Sequence, residues 1–146
     1  MTTSKYEKLG TAEVQVWDLG GNKELHTFKN PSTNDYWITL STDELTSRCP
    51  ATNHPDFATL TIKYMPEERC VEMKSLKLYI ESFRDEGHFY EELINLIYGH
   101  LLKVLDPQEL EVVGDFHVRG GMPAQVRVEL DHQLIYDDVE DSLNGA

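Results

Sequence analysis

The sequence predicts an α+β domain, an antiparallel sheet with two helices on one face, in the order two strands, two helices, two strands. Apolar and polar residues alternate from Phe57 to Met65, which is typical of a half-buried strand. Apolar residues then recur at helical spacing from Leu76 to Leu105, and two further strand-like segments follow. With 146 residues, 40% of them hydrophobic, residues 1–146 fit a single globular domain with its own core.

The elements before the alternating strand are shorter. Residues 1–12 are polar and are expected to be loose. Residues 14–17 and 25–28 are candidate edge elements separated by a glycine-rich turn, and residues 35–40 are a further strand candidate. These segments add strand character to the first third of the chain without a clear pairing order.

Helices and strands follow in the second half. Helices are predicted over residues 76–83 and 89–105, the second of them ended by an Asp-Pro pair. Strands are predicted over residues 110–118 and 126–130, joined by a turn that contains two glycines.

The chain is strongly acidic, with 26 acidic against 13 basic residues and a formal charge of -13. This charge repels phosphate backbones, so nucleic acid is not an expected partner. Part of it lies in residues 131–146, an acidic tail that we expect to be solvated. The sequence contains neither a run of apolar residues that would span a bilayer nor the pattern of a signal peptide, so we expect a cytoplasmic protein without a membrane partner.

Two residues near the middle of the chain suggest nucleophilic chemistry. Cys49 follows Arg48 in a polar loop before a strand, where a neighbouring positive charge lowers a thiol pKa. Asp56 lies seven residues later and precedes apolar Phe57, a setting in which a buried carboxyl group holds and donates a proton. The alternatives are a structural cysteine and a turn aspartate.

Further polar residues are candidates for binding. Lys74 and Lys77 are three residues apart, so on a helix they share one face; they either grip phosphate groups or form a solvated surface. Tyr90 and Glu91 begin the second predicted helix, where a carboxylate either is stabilised by the helix dipole or accepts hydrogen bonds from the edge of a guanine-like base. The six histidines lack zinc-binding spacing, so no catalytic metal is expected.

Four motifs in order resemble the single-module nitrile reductases of queuosine biosynthesis, the NADPH-dependent 7-cyano-7-deazaguanine reductase family. The motifs are CPATNHPDFAT at residues 49–59, EMKSLKLY at 72–79, YE at 90–91 and RGG at 119–121. The resemblance implies the tunnelling fold of that family. It also implies a homo-oligomer of two stacked pentamers, because such modules close into rings with pockets between subunits.

The resemblance further implies a reaction and its residues. Cys49 would attack the nitrile carbon to form a thioimidate, Asp56 would protonate the nitrogen, and NADPH would deliver hydride twice to give the aminomethyl product. By the same resemblance, the substrate and cofactor residues can be assigned. The substrate pocket would contain Val71, Glu72, Met73, Tyr90 and Glu91, and the NADPH site would contain Lys74, Lys77, Arg119 and Gly120.

Three positions depart from the family pattern. Family members usually have His where this chain has Tyr90, so a group that titrates near neutral pH is replaced. Met73 replaces a more usual Ser or Leu, which a flexible side chain tolerates. Some relatives carry a second cysteine where this chain has Leu93, and Cys70 is not its equivalent, so no regulatory disulfide is expected here unless Cys70 reaches Cys49 in space.

Other functions compete with reduction. A related amidinotransferase forms the same thioimidate on tRNA-borne base and resolves it with an amine, but it should lack the lysine motif. A tunnelling-fold cyclohydrolase acting on GTP would require a metal cluster or histidine-activated water. A non-catalytic deazapurine-binding module would keep the pocket without consuming NADPH, and Tyr90 is the feature that favours it.

Overall fold

Eight strands and two helices make up the described part of the chain, residues 3–130 of a computed structural model. The acidic tail predicted for residues 131–146 lies outside the described residues. In chain order the elements are β1 (Thr3–Leu9), β2 (Ala12–Asp18), β3 (Glu24–Lys29), β4 (Ile38–Arg48), β5 (Pro55–Met65), β6 (Arg69–Val71), α1 (Met73–Glu81), α2 (Tyr90–Leu105), β7 (Glu109–Arg119) and β8 (Met122–Glu129).

The strands form two antiparallel sheets rather than the single sheet that the sequence predicted. One sheet has the order β1-β2-β3-β6 and the other β4-β5-β7-β8. The prediction of two strands, two helices and two strands describes the long strands of the second sheet and the helices between them, with β6 inserted before α1. It omits the first sheet, because the short strands of that sheet have weak alternation and β6 has only three residues.

The amino-terminal segment is a strand, so the expectation that residues 1–12 are loose is wrong for Thr3–Leu9. The strand β1 pairs with β2 along its whole length, from Thr3 opposite Asp18 to Leu9 opposite Ala12. All seven of its side chains are exposed. The polar composition therefore marks an exposed edge strand, which sequence reasoning read as the absence of structure.

The second sheet supports the nucleophile loop. The strand β4 extends to Arg48, beyond the predicted strand at residues 35–40, and its pairing with β5 shifts between Thr42 and Leu45. This bulge inserts residues that interrupt the alternation of buried and exposed positions, which explains why the sequence pattern ended too early. Past the bulge, Ser47 lies opposite Asp56.

The helices cover the apolar face of this sheet. Buried residues of both helices form one core with the buried side chains of β5 and β7. Gly114 of β7 gives Ile94 of α2 room to approach, since a Cβ at Gly114 would lie 2.5 Å from the Ile94 Cδ1 atom. Glu72 caps α1 and Asp106, with a positive φ of 43°, ends α2. Among residues 3–130 neither helix has the length and apolar character needed to cross a bilayer.

Candidate active site

Cys49 begins the loop that joins β4 to β5. Its backbone N–H donates to the carbonyl oxygen of His54 at 2.9 Å, and its own carbonyl oxygen accepts from the N–H of Asn53 at 2.8 Å. Asn53 has a φ of 61°, a left-handed conformation that asparagine tolerates better than most residues. These bonds close a tight loop in which the Cys49 thiol is partly exposed and free.

The loop itself activates the thiol. A hydrogen bond with the Thr52 hydroxyl, and then the N–H groups of Thr52 and Ala51, lower the pKa of Cys49 below its ordinary value. Burial and the charge of Asp56 act in the opposite direction. Arg48, which the sequence suggested as the cause, instead directs its guanidinium to the carbonyl of Asn53 at 3.3 Å. The activating groups are therefore dipoles of the loop.

Replacing Thr52 with Val should raise the pKa of Cys49, because the variant loses the side-chain hydrogen bond and keeps the loop N–H groups. Measured by alkylation with iodoacetamide as a function of pH, the reactivity curve of Thr52→Val should move to higher pH. Thr52→Ser retains a hydroxyl group and should keep the wild-type curve. Identical curves for the Val and Ser variants would show that the hydroxyl does not activate Cys49.

Asp56 is the second residue of β5 and is only 6% exposed. The Nε atom of Arg119 lies 3.5 Å from its Oδ1 atom, and the Tyr90 hydroxyl donates to the same oxygen at 3.5 Å. The charge of Asp56 also acts on the pKa of both Cys49 and Tyr90, which groups all three side chains in one cluster. The predicted nucleophile and proton donor are thus brought together by the β4–β5 hairpin.

Tyr90 occupies the first position of α2 and faces this cluster. Its ring stacks on Phe116 of β7 with centroids 3.7 Å apart and an angle of 10° between the planes. Partial burial, and then the charge of Asp56, raise the pKa of Tyr90, while Arg119 opposes this. Tyr90 is therefore a neutral hydrogen-bond donor at neutral pH, unlike the histidine usual in the resembling family.

The segment between the helices fixes the end of β4. The N–H of Arg48 donates to Glu86 O at 2.8 Å, and the N–H of His88 donates to Arg48 O at 3.1 Å. The Lys23 ammonium, 9% exposed, lies 2.7 Å from a Glu86 carboxylate oxygen and 3.7 Å from the centroid of the Phe83 ring. Burial opposes ionisation of Glu86, but hydrogen bonds from Lys23 and His88 outweigh it and lower the pKa of Glu86. These contacts fix the backbone of Arg48, the residue before Cys49.

The two glutamates predicted to bind substrate differ in their availability. Glu72 caps α1, since its carboxylate accepts from the N–H groups of Lys74 at 2.7 Å and Ser75 at 2.8 Å. Glu91 lies exposed in the first turn of α2, and its carboxylate makes no hydrogen bond or ion pair with any of residues 3–130. Of the two, Glu91 has a carboxylate free to accept from a ligand.

Val71 and Met73 flank Glu72 in different surroundings. Val71 is 3% exposed and belongs to the apolar core, with its N–H bonded to the Tyr64 hydroxyl at 3.0 Å. Met73 is 44% exposed and lines a groove of about 820 Å³ between α1 and β4. Neither this groove nor a second one of about 510 Å³ beside Glu72 and Lys74 is lined by Cys49 or Asp56.

The predicted cofactor residues fall in two places. Lys74 and Lys77 are exposed on α1 and form no ion pair within the described part of the chain. Arg119 ends β7 beside Asp56, and Gly120 follows it in the β7–β8 turn with a φ of 57°. No hydrogen bond, ion pair or ring contact in residues 3–130 joins the α1 lysines to the cluster at Asp56.

Two contributors to the site were missed by sequence reasoning. Thr52 lies within the motif at residues 49–59, but its place there assigned it no role, and only the closed loop brings its hydroxyl to the thiol. Phe116 is an apolar residue in a predicted strand, and its stacking on Tyr90 depends on how α2 packs against β7. The packing of elements distant in the chain is not visible in local sequence.

The second cysteine lies apart from the first. Cys70 of β6 is 2% exposed, and its sulfur is 3.7 Å from the Tyr36 hydroxyl. Both cysteines are free thiols. Within residues 3–130 no three His, Cys, Asp or Glu side chains are grouped so as to hold a metal ion.

Comparison with known proteins identifies the family. Residues 55–134 match the family described as QueF-like protein. A protein of Thermomicrobium roseum named NADPH-dependent 7-cyano-7-deazaguanine reductase is 48% identical over 102 residues, which cover 69% of this chain and 80% of that protein. A protein of the same name from Halorhodospira halophila is 48% identical over 109 residues, covering 74% of this chain and 92% of that protein.

A solved structure shares the fold. The archaeosine synthase QueF-Like in its apo form matches with a TM-score of 0.61 and 22% identity, covering 69% of this chain and 95% of that chain. This likeness shows the fold alone, an α+β arrangement of antiparallel sheets and two helices. The family match and the two relatives carry the assignment further: the chain belongs to the QueF-like protein family.

Proposed function

We propose that this protein is an NADPH-dependent reductase that converts the nitrile of 7-cyano-7-deazaguanine to an aminomethyl group, a step of queuosine biosynthesis. The names of the relatives give the reaction class and the hydride donor. The observation that carries the proposal is the pairing of a thiol of lowered pKa, Cys49, with the buried carboxyl group of Asp56.

The residues have complementary roles in nitrile capture. The Cys49 thiolate adds to the nitrile carbon, one bond of the carbon–nitrogen triple bond breaks, and Asp56 gives its proton to the nitrogen. The products are a neutral thioimidate on Cys49 and a carboxylate at Asp56. The Tyr90 hydroxyl and Arg119 stabilise that carboxylate, since both already lie 3.5 Å from its Oδ1 atom.

Substrate recognition falls to the start of α2. The exposed carboxylate of Glu91 is suited to accept two hydrogen bonds from the N–H edge of a guanine-like base, a pairing that rejects analogues without those donors. Glu72 orders the start of α1 through its cap, and Met73 offers an apolar wall. Val71 supports this segment from the core.

The α1 lysines fit an anionic cofactor. A chain with a formal charge of -13 keeps Lys74 and Lys77 exposed and free of acidic partners in the described residues. NADPH, when bound, supplies hydride to the captured carbon. Lys74 and Lys77 would bind its phosphates, with Arg119 and Gly120 approaching from the β7–β8 turn.

We further propose that the complete site forms between copies of the chain. Within the described part of one chain, Lys74 and Lys77 of α1 make no contact with the cluster at Asp56. A homo-oligomer would bring the α1 helix of one copy to the cluster of the next copy. The tunnelling fold and two stacked pentamers implied by the resemblance provide such an arrangement. A cytoplasmic location suits a reaction that draws on NADPH and a free base.

The proposed function is tested by following NADPH absorbance and product mass together after adding 7-cyano-7-deazaguanine. Oxidation of two NADPH per nitrile, with the aminomethyl product, is the expected result, since reduction of a nitrile to an amine takes two hydrides. Covalent capture without NADPH oxidation would instead indicate an amidinotransferase. Reversible binding without either signal would indicate a deazapurine-binding module.

Removing both α1 lysines should weaken cofactor binding and spare nitrile capture. Lys74→Ala combined with Lys77→Ala should raise the KM for NADPH about tenfold or more, because each lost charge-assisted hydrogen bond to phosphate has an effect of that order. The rate of thioimidate formation without NADPH should remain that of the wild type. Lys8→Ala combined with Lys29→Ala removes the same charge from the first sheet and serves as the control. Equal effects of the two pairs would contradict the assignment.

A further inference from the structure

Ser47 of β4 carries a buried hydroxyl group with no partner. The residue is 1% exposed, and its Oγ atom makes no hydrogen bond with any of residues 3–130. Buried hydroxyl groups are normally hydrogen-bonded, because leaving a donor unmet in the interior is unfavourable. An unmet group two residues before the nucleophile therefore points to a partner that it gains during the reaction.

The strand pairing identifies that partner. Ser47 lies directly opposite Asp56 in the antiparallel pair of β4 and β5. Residues opposite each other project to the same face with Cβ atoms about 4.5–5.5 Å apart. Both are buried, as are Leu45 and Ala58, the next residues on that face. The hydroxyl and the carboxyl group therefore face the same interior space.

The carboxyl group has one oxygen to spare. Both contacts that Asp56 makes with charged or hydroxyl side chains, from Arg119 and Tyr90, use Oδ1. No hydrogen bond or ion pair among residues 3–130 uses Oδ2. An oxygen without a donor from the protein is less favourable on a carboxylate than on a neutral carboxyl group.

We propose that Ser47 is a positioning residue for Asp56, whose hydroxyl donates to Oδ2, directly or through one water molecule, as the aspartate loses its proton. The inference rests on the proposed function. In the capture step the bond between the Cys49 sulfur and the nitrile carbon forms, one π bond of the carbon–nitrogen triple bond breaks, and the proton moves from Asp56 to nitrogen. The negative charge thereby passes from sulfur to the carboxyl group. Ser47 stabilises that charge where it arrives, and it touches neither nitrile nor cofactor.

The test compares the rate of thioimidate formation without NADPH in the wild type, in Ser47→Ala and in a control. Ser47→Ala should slow capture about tenfold to a hundredfold, the effect of one hydrogen bond to a charged group. Thr46→Ala removes a hydroxyl group from the adjacent, partly exposed position of the same strand and should capture at the wild-type rate. The KM for NADPH should be unchanged in both.

A double-mutant cycle distinguishes positioning from a structural role. In an Asp56→Asn background, Ser47→Ala should cause no further loss, because the carboxylate through which the hydroxyl acts is gone. Wild-type capture by Ser47→Ala, or an equal loss in both backgrounds, would overturn the inference while leaving the reductase intact. A wild-type protein that neither captures nor reduces the nitrile would overturn both.

Discussion

Cys49→Ala should form no covalent adduct with 7-cyano-7-deazaguanine and should oxidise no NADPH in its presence. The loss should be on the order of a thousandfold or more, because removing a nucleophile eliminates the covalent route rather than slowing it. The fold should be unaffected, since the Cys49 side chain is partly exposed and the loop is closed by backbone hydrogen bonds. Intact-protein mass spectrometry detects the adduct, and absorbance detects NADPH oxidation.

Cys70→Ala is the matched control for this variant. Cys70 is buried in β6 against Tyr36, away from the Cys49 loop, so its loss should create a small cavity and cost about 1 kcal/mol of stability. Adduct formation should remain at the wild-type level. An adduct on Cys49→Ala that disappears in Cys70→Ala would move the nucleophile to β6 and refute the proposed mechanism.

Much of the fold was predictable because local periodicity reports burial. The strand over residues 57–65 and the helix over residues 89–105 were predicted within two residues of β5 and α2, since each buries one regular face. The first sheet was not predictable as a sheet. Its edge strand β1 has no buried face, and β6 is too short to show a period.

The residues of the candidate site that lie in sequence motifs were predictable, but their contacts were not. Cys49 and Asp56 were identified from sequence, and in the structure they lie close enough for the charge of Asp56 to act on the pKa of Cys49. Arg119 lies against Asp56 and not beside the α1 lysines. The proposed role of Ser47 depends on strand register, and the stacking of Tyr90 on Phe116 depends on the packing of α2 against β7. Register is a property of pairs of distant segments, so single-segment patterns cannot give it.

Asp56→Asn should remove the proton donor while leaving the Cys49 nucleophile in place. Asparagine has nearly the same shape and keeps an oxygen for Tyr90 and Arg119, but it has no acidic proton to give to the nitrile nitrogen. Thioimidate formation should therefore slow by about a hundredfold to ten-thousandfold, the usual contribution of general acid catalysis. Asp115→Asn, at an exposed aspartate of the neighbouring strand β7, should leave the rate unchanged.

The same variant should make Cys49 more reactive toward iodoacetamide, a reagent that needs no proton. Whenever Asp56 is ionised its charge raises the pKa of Cys49, so removing that carboxylate lowers the pKa and increases the thiolate fraction at a given pH. Faster alkylation together with slower nitrile capture is a combination that general damage to the site cannot produce, since damage would slow both. Slower alkylation would mean that Asp56 supports the nucleophile, and capture at the wild-type rate would mean that the proton comes from another group. Opposite changes in the two rates support Asp56 as the acid, because nitrile capture needs its proton and alkylation does not.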